Sequence, residues 1–276
     1  MVNFHYENAL HNAAQKCDVE ALHRCLTPEA LAACPIDTRD RDELESTALH
    51  ALCRYAREYR EDESRRDDDR NADIEVCLQL LVEAGADLEA RDIIGCTPLQ
   101  VVAWYSNYNL GTEATLRLTS LLLRHGAKVD TRDNDGSTLL HAAASFAHQS
   151  LVNLLLKAGA AVNALTQNVH VGTRTPATPL DMAFVHERRT TVPILLRAGG
   201  ELNRYQRNLR RLNFGPKNRR IKSLRRYLAK VDDIGGFKKY AQAHLARVTT
   251  TFKSKLSLPA RPARLVVEFW LHAGYY

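Results

Sequence analysis

One helix start is written into this chain several times over. Thr97-Pro98-Leu99-Gln100 is its clearest form; Thr47-Ala48-Leu49-His50, Thr138-Leu139-Leu140-His141 and Thr178-Pro179-Leu180-Asp181 are full copies, and Asn8-Ala9-Leu10-His11 is a worn first one. Each start is followed by an apolar helix. A second half returns in the same order: Leu80-Leu81-Val82-Glu83-Ala84-Gly85-Ala86-Asp87, Leu122-Leu123-Arg124-His125-Gly126-Ala127, Leu155-Leu156-Lys157-Ala158-Gly159-Ala160 and Leu195-Leu196-Arg197-Ala198-Gly199-Gly200. One such helix pair cannot bury its apolar face alone, so each unit needs a neighbour. The order of motifs therefore predicts an elongated all-α stack.

The punctuation has local physical reasons. Threonine caps helix N-termini, proline fits the first helical turn, and the glycines at 85, 126, 159 and 199 suit the left-handed residue that ends a helix. Asp133-Asn134-Asp135-Gly136 reads as the turn that opens the next unit. Threonine-to-threonine spacings are 50, 41 and 40 residues. The excess over a unit of about 33 belongs in loops. Residues 57–70 make this explicit, with seven acidic and five basic side chains in fourteen positions. They read as a solvated loop or an extended helix.

These paired motifs resemble the ankyrin-repeat family, whose unit carries a Thr-Pro-Leu-His start, a Leu-rich second helix and a Gly-Ala-Asp-Val-Asn-Ala exit. The resemblance covers roughly residues 6–203. It implies a solenoid of about five helix-turn-helix repeats with long inserts, acting by binding protein. It also places His11, His50 and His141 in a structural slot where the side chain bonds to neighbouring backbone. Gln100 and Asp181 depart from that slot, and the first unit leaves through Cys34-Pro35-Ile36-Asp37 instead of a glycine exit.

By the same resemblance, the turn tips and the solvent side of each first helix line a concave surface, and the two positions after the small-residue pair of that helix point into it. The slots there are Arg54 and Tyr55, Trp104 and Tyr105, Ser145 and Phe146, and Val185 and His186. Arg54, Tyr55, Trp104, Tyr105, Phe146 and His186 are the partner-binding candidates, since aromatic and arginine side chains combine large contact area with polar handles. The competing expectation is that the rings pack on the inserts at 57–71 and 107–113.

Charge divides the chain at about residue 204. Beyond it stand 18 Lys and Arg against Asp232, Asp233 and Glu268, or +15, and before it 20 basic against 29 acidic residues, or −9. Such asymmetry suggests two modules that attract one another or meet different partners. The division expected is a repeat domain at 1–203 and a basic helical region at 204–276. Within the latter, Lys217, Arg219, Arg220, Lys222, Arg225 and Arg226 surround Ile221, Leu224, Leu228 and Val231 at helical spacing. Further helices are expected from 236 to about 252 and from 263 to 272. Three roles stay open for this region: a cap on the last repeat, a nucleic-acid contact or nuclear-localisation signal, and a box recruiting a ubiquitin-ligase scaffold, which Ser223-Leu224 and Leu258-Pro259 loosely resemble.

No Gly-x-x-x-x-Gly-Lys or Gly-x-Ser-x-Gly motif is present, and His186-Glu187-Arg188-Arg189-Thr190 lacks the second histidine of a zinc-protease helix. The expectation is a non-enzymatic protein without cofactor or metal. None of the six cysteines forms a Cys-x-x-Cys pair, so they read as reduced structural thiols. With neither a leader pattern nor about 20 consecutive apolar residues, the expected setting is intracellular, cytoplasmic or nuclear, with no membrane partner.

Overall fold

The computed structural model describes residues 3–40, 44–55, 67–106, 112–146, 148–167, 176–201, 226–227, 229–231 and 233–256. The helices of the repeat region are α1 (Asn3–Gln15), α2 (Val19–Cys25), α3 (Pro28–Ala33), α4 (Ala48–Tyr55), α5 (Asp67–Glu83), α6 (Pro98–Ser106), α7 (Thr112–Arg124), α8 (Leu139–Phe146), α9 (Gln149–Lys157), α10 (Pro179–Val185) and α11 (Thr191–Arg197). Most are shorter than the 12–15 residues at which a helix begins to hold itself together in water. Packing has to supply the difference.

It does so in two layers. The first helices α1, α4, α6, α8 and α10 pack side by side, as do the second helices α2, α5, α7, α9 and α11, and each first helix also packs on the second helix of its own unit. Leu10, Leu22, Leu49, Leu78, Leu99, Leu122, Leu140, Leu155, Leu180 and Leu195 belong to one continuous buried cluster that runs through all five units. The all-α solenoid of helix pairs expected from the motifs is the fold found.

The helix-ending glycines carry the left-handed backbone, with φ of 89° at Gly85, 97° at Gly126 and 89° at both Gly159 and Gly199. Helix α5 begins at Asp67, inside the charged insert. The extra helix α3 follows from Thr27, whose hydroxyl accepts from the Ala30 N–H at 3.3 Å, with Pro28 at the first helical position.

Beyond the repeats, residues 226–227 and 229–231 are helical, Gly235 and Gly236 break the chain at φ of 89° and 104°, and α12 (Phe237–Leu256) follows. Tyr227 packs against the repeat core. It meets Tyr240 edge to face at 5.5 Å, and Tyr240 stacks on His244 at 6.0 Å. Helix α12 touches α11, the last helix of the array. The expected helix near 263–272 lies outside the described residues.

Candidate binding surface

The surface rests on how the fourth residue of each helix start is used. His50 Nδ1 accepts from the Thr47 N–H at 3.3 Å and lies 2.8 Å from the Thr47 hydroxyl. The ring proton therefore sits on Nε2, which donates to the carbonyl of Cys96 at 2.9 Å. Cys96 immediately precedes Thr97, the start of the next unit. His11 makes the same reach to Ser46 at 2.8 Å and His141 to Ala177 at 3.0 Å. Gln100 reproduces both halves: its Oε1 accepts from the Thr97 N–H at 3.0 Å and its Nε2 donates to the Ser137 carbonyl at 3.0 Å.

Each of these carbonyls is used twice. Ser46, Cys96, Ser137 and Ala177 also accept from the N–H groups of Asp40, Asp92, Asp133 and Thr166, at 2.8, 3.0, 3.0 and 3.0 Å. Both lone pairs are thus engaged, one closing the hairpin finger of its own junction and the other tying that finger to the preceding helix.

A second set of ties runs along the unit exits. The side chains of Asp37, Glu89, Asp130 and Asn163 accept from the backbone N–H groups of Asp87, Lys128, Ala161 and Glu201 at 3.0, 2.8, 2.9 and 2.7 Å. The unusual exit of the first unit therefore keeps its bridging position although it lacks the glycine. No motif in the sequence assigns this bridging role to Asp37, Glu89 or Asp130. The available signal was that an acceptor-bearing side chain recurs at one place in every exit.

On this frame, Tyr55 ends α4, Trp104 and Tyr105 fall in the last turn of α6, Phe146 ends α8 and His186 caps α10. The first-helix layer brings these ends into one row. The side chains of Tyr55, Trp104 and Tyr105 lie outside the described residues. Phe146 is half-buried against the core and meets His148 edge to face at 6.4 Å, while His186 is exposed. Arg54 turns inward: only 9% of its side chain is exposed, and its guanidinium donates to Ser46 Oγ at 2.9 Å and stands 3.8 Å from the fully buried carboxylate of Asp92. Of the basic set, Arg226 is exposed, and Lys217, Arg219, Arg220, Lys222 and Arg225 lie outside the described residues.

Within this stack of helix pairs, residues 70–166 and 114–206 are matched by the family model for ankyrin repeats (3 copies). The chain is an ankyrin-repeat protein. The B-cell lymphoma 3 protein homolog of mouse is 29% identical over 157 residues, which cover 56% of this chain and 29% of that protein. The chain spans less than a third of the length of that relative.

Ankyrin arrays are protein-interaction modules and typically non-enzymatic, and the chemistry along this one agrees with a structural use of its polar groups. Burial lowers the His50 pKa below its ordinary value. Burial also pushes the Cys53 and Cys77 thiols up to about 12 and raises those of Cys17 and Cys96 further. Such thiols are not nucleophiles near neutral pH. Among the described residues, no group of three or more His, Cys, Asp or Glu side chains is arranged to hold a metal ion, and no helix is long and apolar enough to cross a membrane.

Proposed function

We propose that this chain is a non-enzymatic scaffold that binds a protein partner across the concave face of its ankyrin array, with Trp104 and Tyr105 as the central anchors and Tyr55, Phe146 and His186 beside them. The observation that carries this reading is the unbroken layer α1-α4-α6-α8-α10, which sets the ends of successive first helices in a single row. Arg54 belongs to the same row by position. Its role in this proposal is to hold the row in register through Asp92. Trp104→Ala tests the assignment when cross-linking mass spectrometry is run on the full chain in cell extract. Cross-links from the α4, α6 and α8 ends to one partner, lost in the variant at unchanged melting temperature, are the expected result. Loss of melting temperature with cross-links retained would overturn it.

We further propose that the chain divides into the array at 1–203 and a basic region at 204–276 that caps it. Support comes from Tyr227 seated on the repeat core and from α12 packed on α11. The cap reading expects residues 1–203 alone to melt at a lower temperature than the full chain. A tail that instead retained ubiquitin-ligase scaffold subunits, or retained nucleic acid in a salt-sensitive manner, would overturn it.

A further inference from the structure

The arms of the hairpin fingers carry a cationic pocket that belongs to neither the concave row nor the tail. Arg91 and Arg132 occupy the same position in consecutive fingers and are held in the same way. Arg91 Nη1 donates to the carbonyl of Arg132 at 2.6 Å and to that of Gly95 at 3.3 Å. Arg132 Nη1 donates to the carbonyls of Leu165 and Gly136. One nitrogen of each guanidinium is therefore fixed by backbone of its own finger and the next. Among the described residues, neither guanidinium pairs with a carboxylate, so its charge and its remaining N–H groups are available to a ligand.

Lys128 completes the set. It is exposed, and with Val129, Asp130, Thr131, Arg91 and Arg132 it lines an open pocket of about 550 Å³. Three cations against Asp130 leave the pocket at +2, within a repeat region whose net charge is −9. Holding an arginine fork in place before binding removes the ordering cost that a free surface arginine would carry, and the fork matches a carboxylate in a two-pronged way.

The surroundings select the kind of anion. At the finger after that of Arg132 the corresponding position is Leu165, 45% exposed, and the tip of the finger that carries Arg91 shows Ile93 and Ile94 at 52% and 44% exposure. A polyphosphate backbone has no use for these aliphatic side chains. A peptide carrying both carboxylates and aliphatic residues satisfies all of them. We infer that the Arg91–Lys128–Arg132 pocket is a second docking site, taking an extended acidic peptide segment of a protein partner whose aliphatic residues lie against Ile93, Ile94 and Leu165.

The test uses the full chain and a fluorescein-labelled decapeptide of glutamate and leucine interspersed with serine, read by fluorescence anisotropy. Two probes accompany it: the same peptide with glutamine in place of glutamate, and a single-stranded oligonucleotide of equal charge. Lys128→Glu is the main variant, because the side chain is exposed and its residue contributes only a backbone N–H to the frame. Arg226→Glu controls for binding to the basic tail. The expected result is binding of the acidic peptide alone, weakened about tenfold by Lys128→Glu and untouched by Arg226→Glu. Equal binding of the glutamine peptide, loss through Arg226→Glu with Lys128→Glu silent, oligonucleotide binding that depends on Lys128, or no binding by any probe would each overturn the inference. Because the concave anchors are intact in both variants, these outcomes are independent of the concave-face proposal.

Discussion

His50 Nε2 and the carbonyl of Cys96 lie 2.9 Å apart although 46 residues separate them, and both groups are buried. The bond joins one helix start to the residue immediately before the next. Replacing the ring therefore tests the junction and not one helix. His50→Ala should destabilise the array by about 1–3 kcal/mol, since the Thr47 N–H and part of the Cys96 carbonyl lose a partner in a dry site. His50→Gln should recover most of that loss, because Gln100 already spans the equivalent junction. Urea unfolding of the two variants checks the difference.

The same histidine makes the array acid-sensitive. Burial holds the His50 pKa below its ordinary value, and burial followed by the Arg188 charge does the same for His148. The folded protein thus binds fewer protons than the unfolded chain below pH about 6.5, and unfolding takes protons up. The stability linked to these groups is complete above that pH and is lost as pH falls through the folded values. Melting temperature should drop between pH 7.5 and 5, and His50→Gln should make the drop shallower.

The Arg54–Asp92 pair should respond asymmetrically. Asp92 Oδ1 accepts from the N–H groups of Ile94 at 3.1 Å and Cys96 at 2.8 Å, so the carboxylate keeps support when Arg54 is removed. Asp92→Ala strips the finger of both bonds and leaves a nearly buried guanidinium. It should cost about 3–5 kcal/mol, and Arg54→Ala distinctly less, by urea denaturation.

Two glycines with similar backbone angles should differ in tolerance. Gly85 has φ of 89° and open space where a Cβ would stand, so Gly85→Ala costs only the left-handed backbone, about 1–2 kcal/mol. At Gly95, φ is 78° and the Cβ would fall 2.2 Å from Asn134 Oδ1 and 2.8 Å from its backbone N. Asn134 is the residue that ties the next finger to Ile93 and Ile94, at 3.0 and 3.1 Å. Gly95→Ala should therefore cost about 1–3 kcal/mol more than Gly85→Ala in thermal or urea unfolding.

Thiol labelling offers a check on the interior. Cys25 is partly exposed and burial raises its pKa, with the Arg24 charge opposing, whereas Cys53, Cys77 and Cys96 are fully enclosed. Iodoacetamide on the native protein should modify Cys25 first and reach Cys53, Cys77 and Cys96 only on unfolding, as followed by mass spectrometry.

Legibility in the sequence tracked the range of the interaction. Helix starts, glycine exits and the histidine slot are local patterns, and residues 6–203 showed them directly. Gln100 read as a departure because its type differs, yet an amide presents an acceptor and a donor much as the neutral ring does. Arg54 read as a surface residue because its position on α4 is a surface slot. Its partner, Asp92, stands in the next finger, and no pattern within one unit contains both. Arg91 and Arg132 carry no signal of their own in the sequence for the same reason: what fixes each is a carbonyl one finger away, set by how the arms align.

Asp181 closes the series begun by His11. Its Oδ2 accepts from the Thr178 N–H at 2.8 Å and from the hydroxyl at 3.0 Å, while the Thr178 hydroxyl accepts in turn from the Asp181 N–H at 3.1 Å. A carboxylate has no proton to pass onward; at this unit the onward donation belongs to the Thr178 hydroxyl, whose one proton is shared between Asp181 Oδ2 and the carbonyl of Glu201 at 2.8 Å. The outward-facing donor thus passes from the fourth residue of the helix start to its threonine, and removing that hydroxyl would loosen the exit at Glu201 as well as the helix it opens.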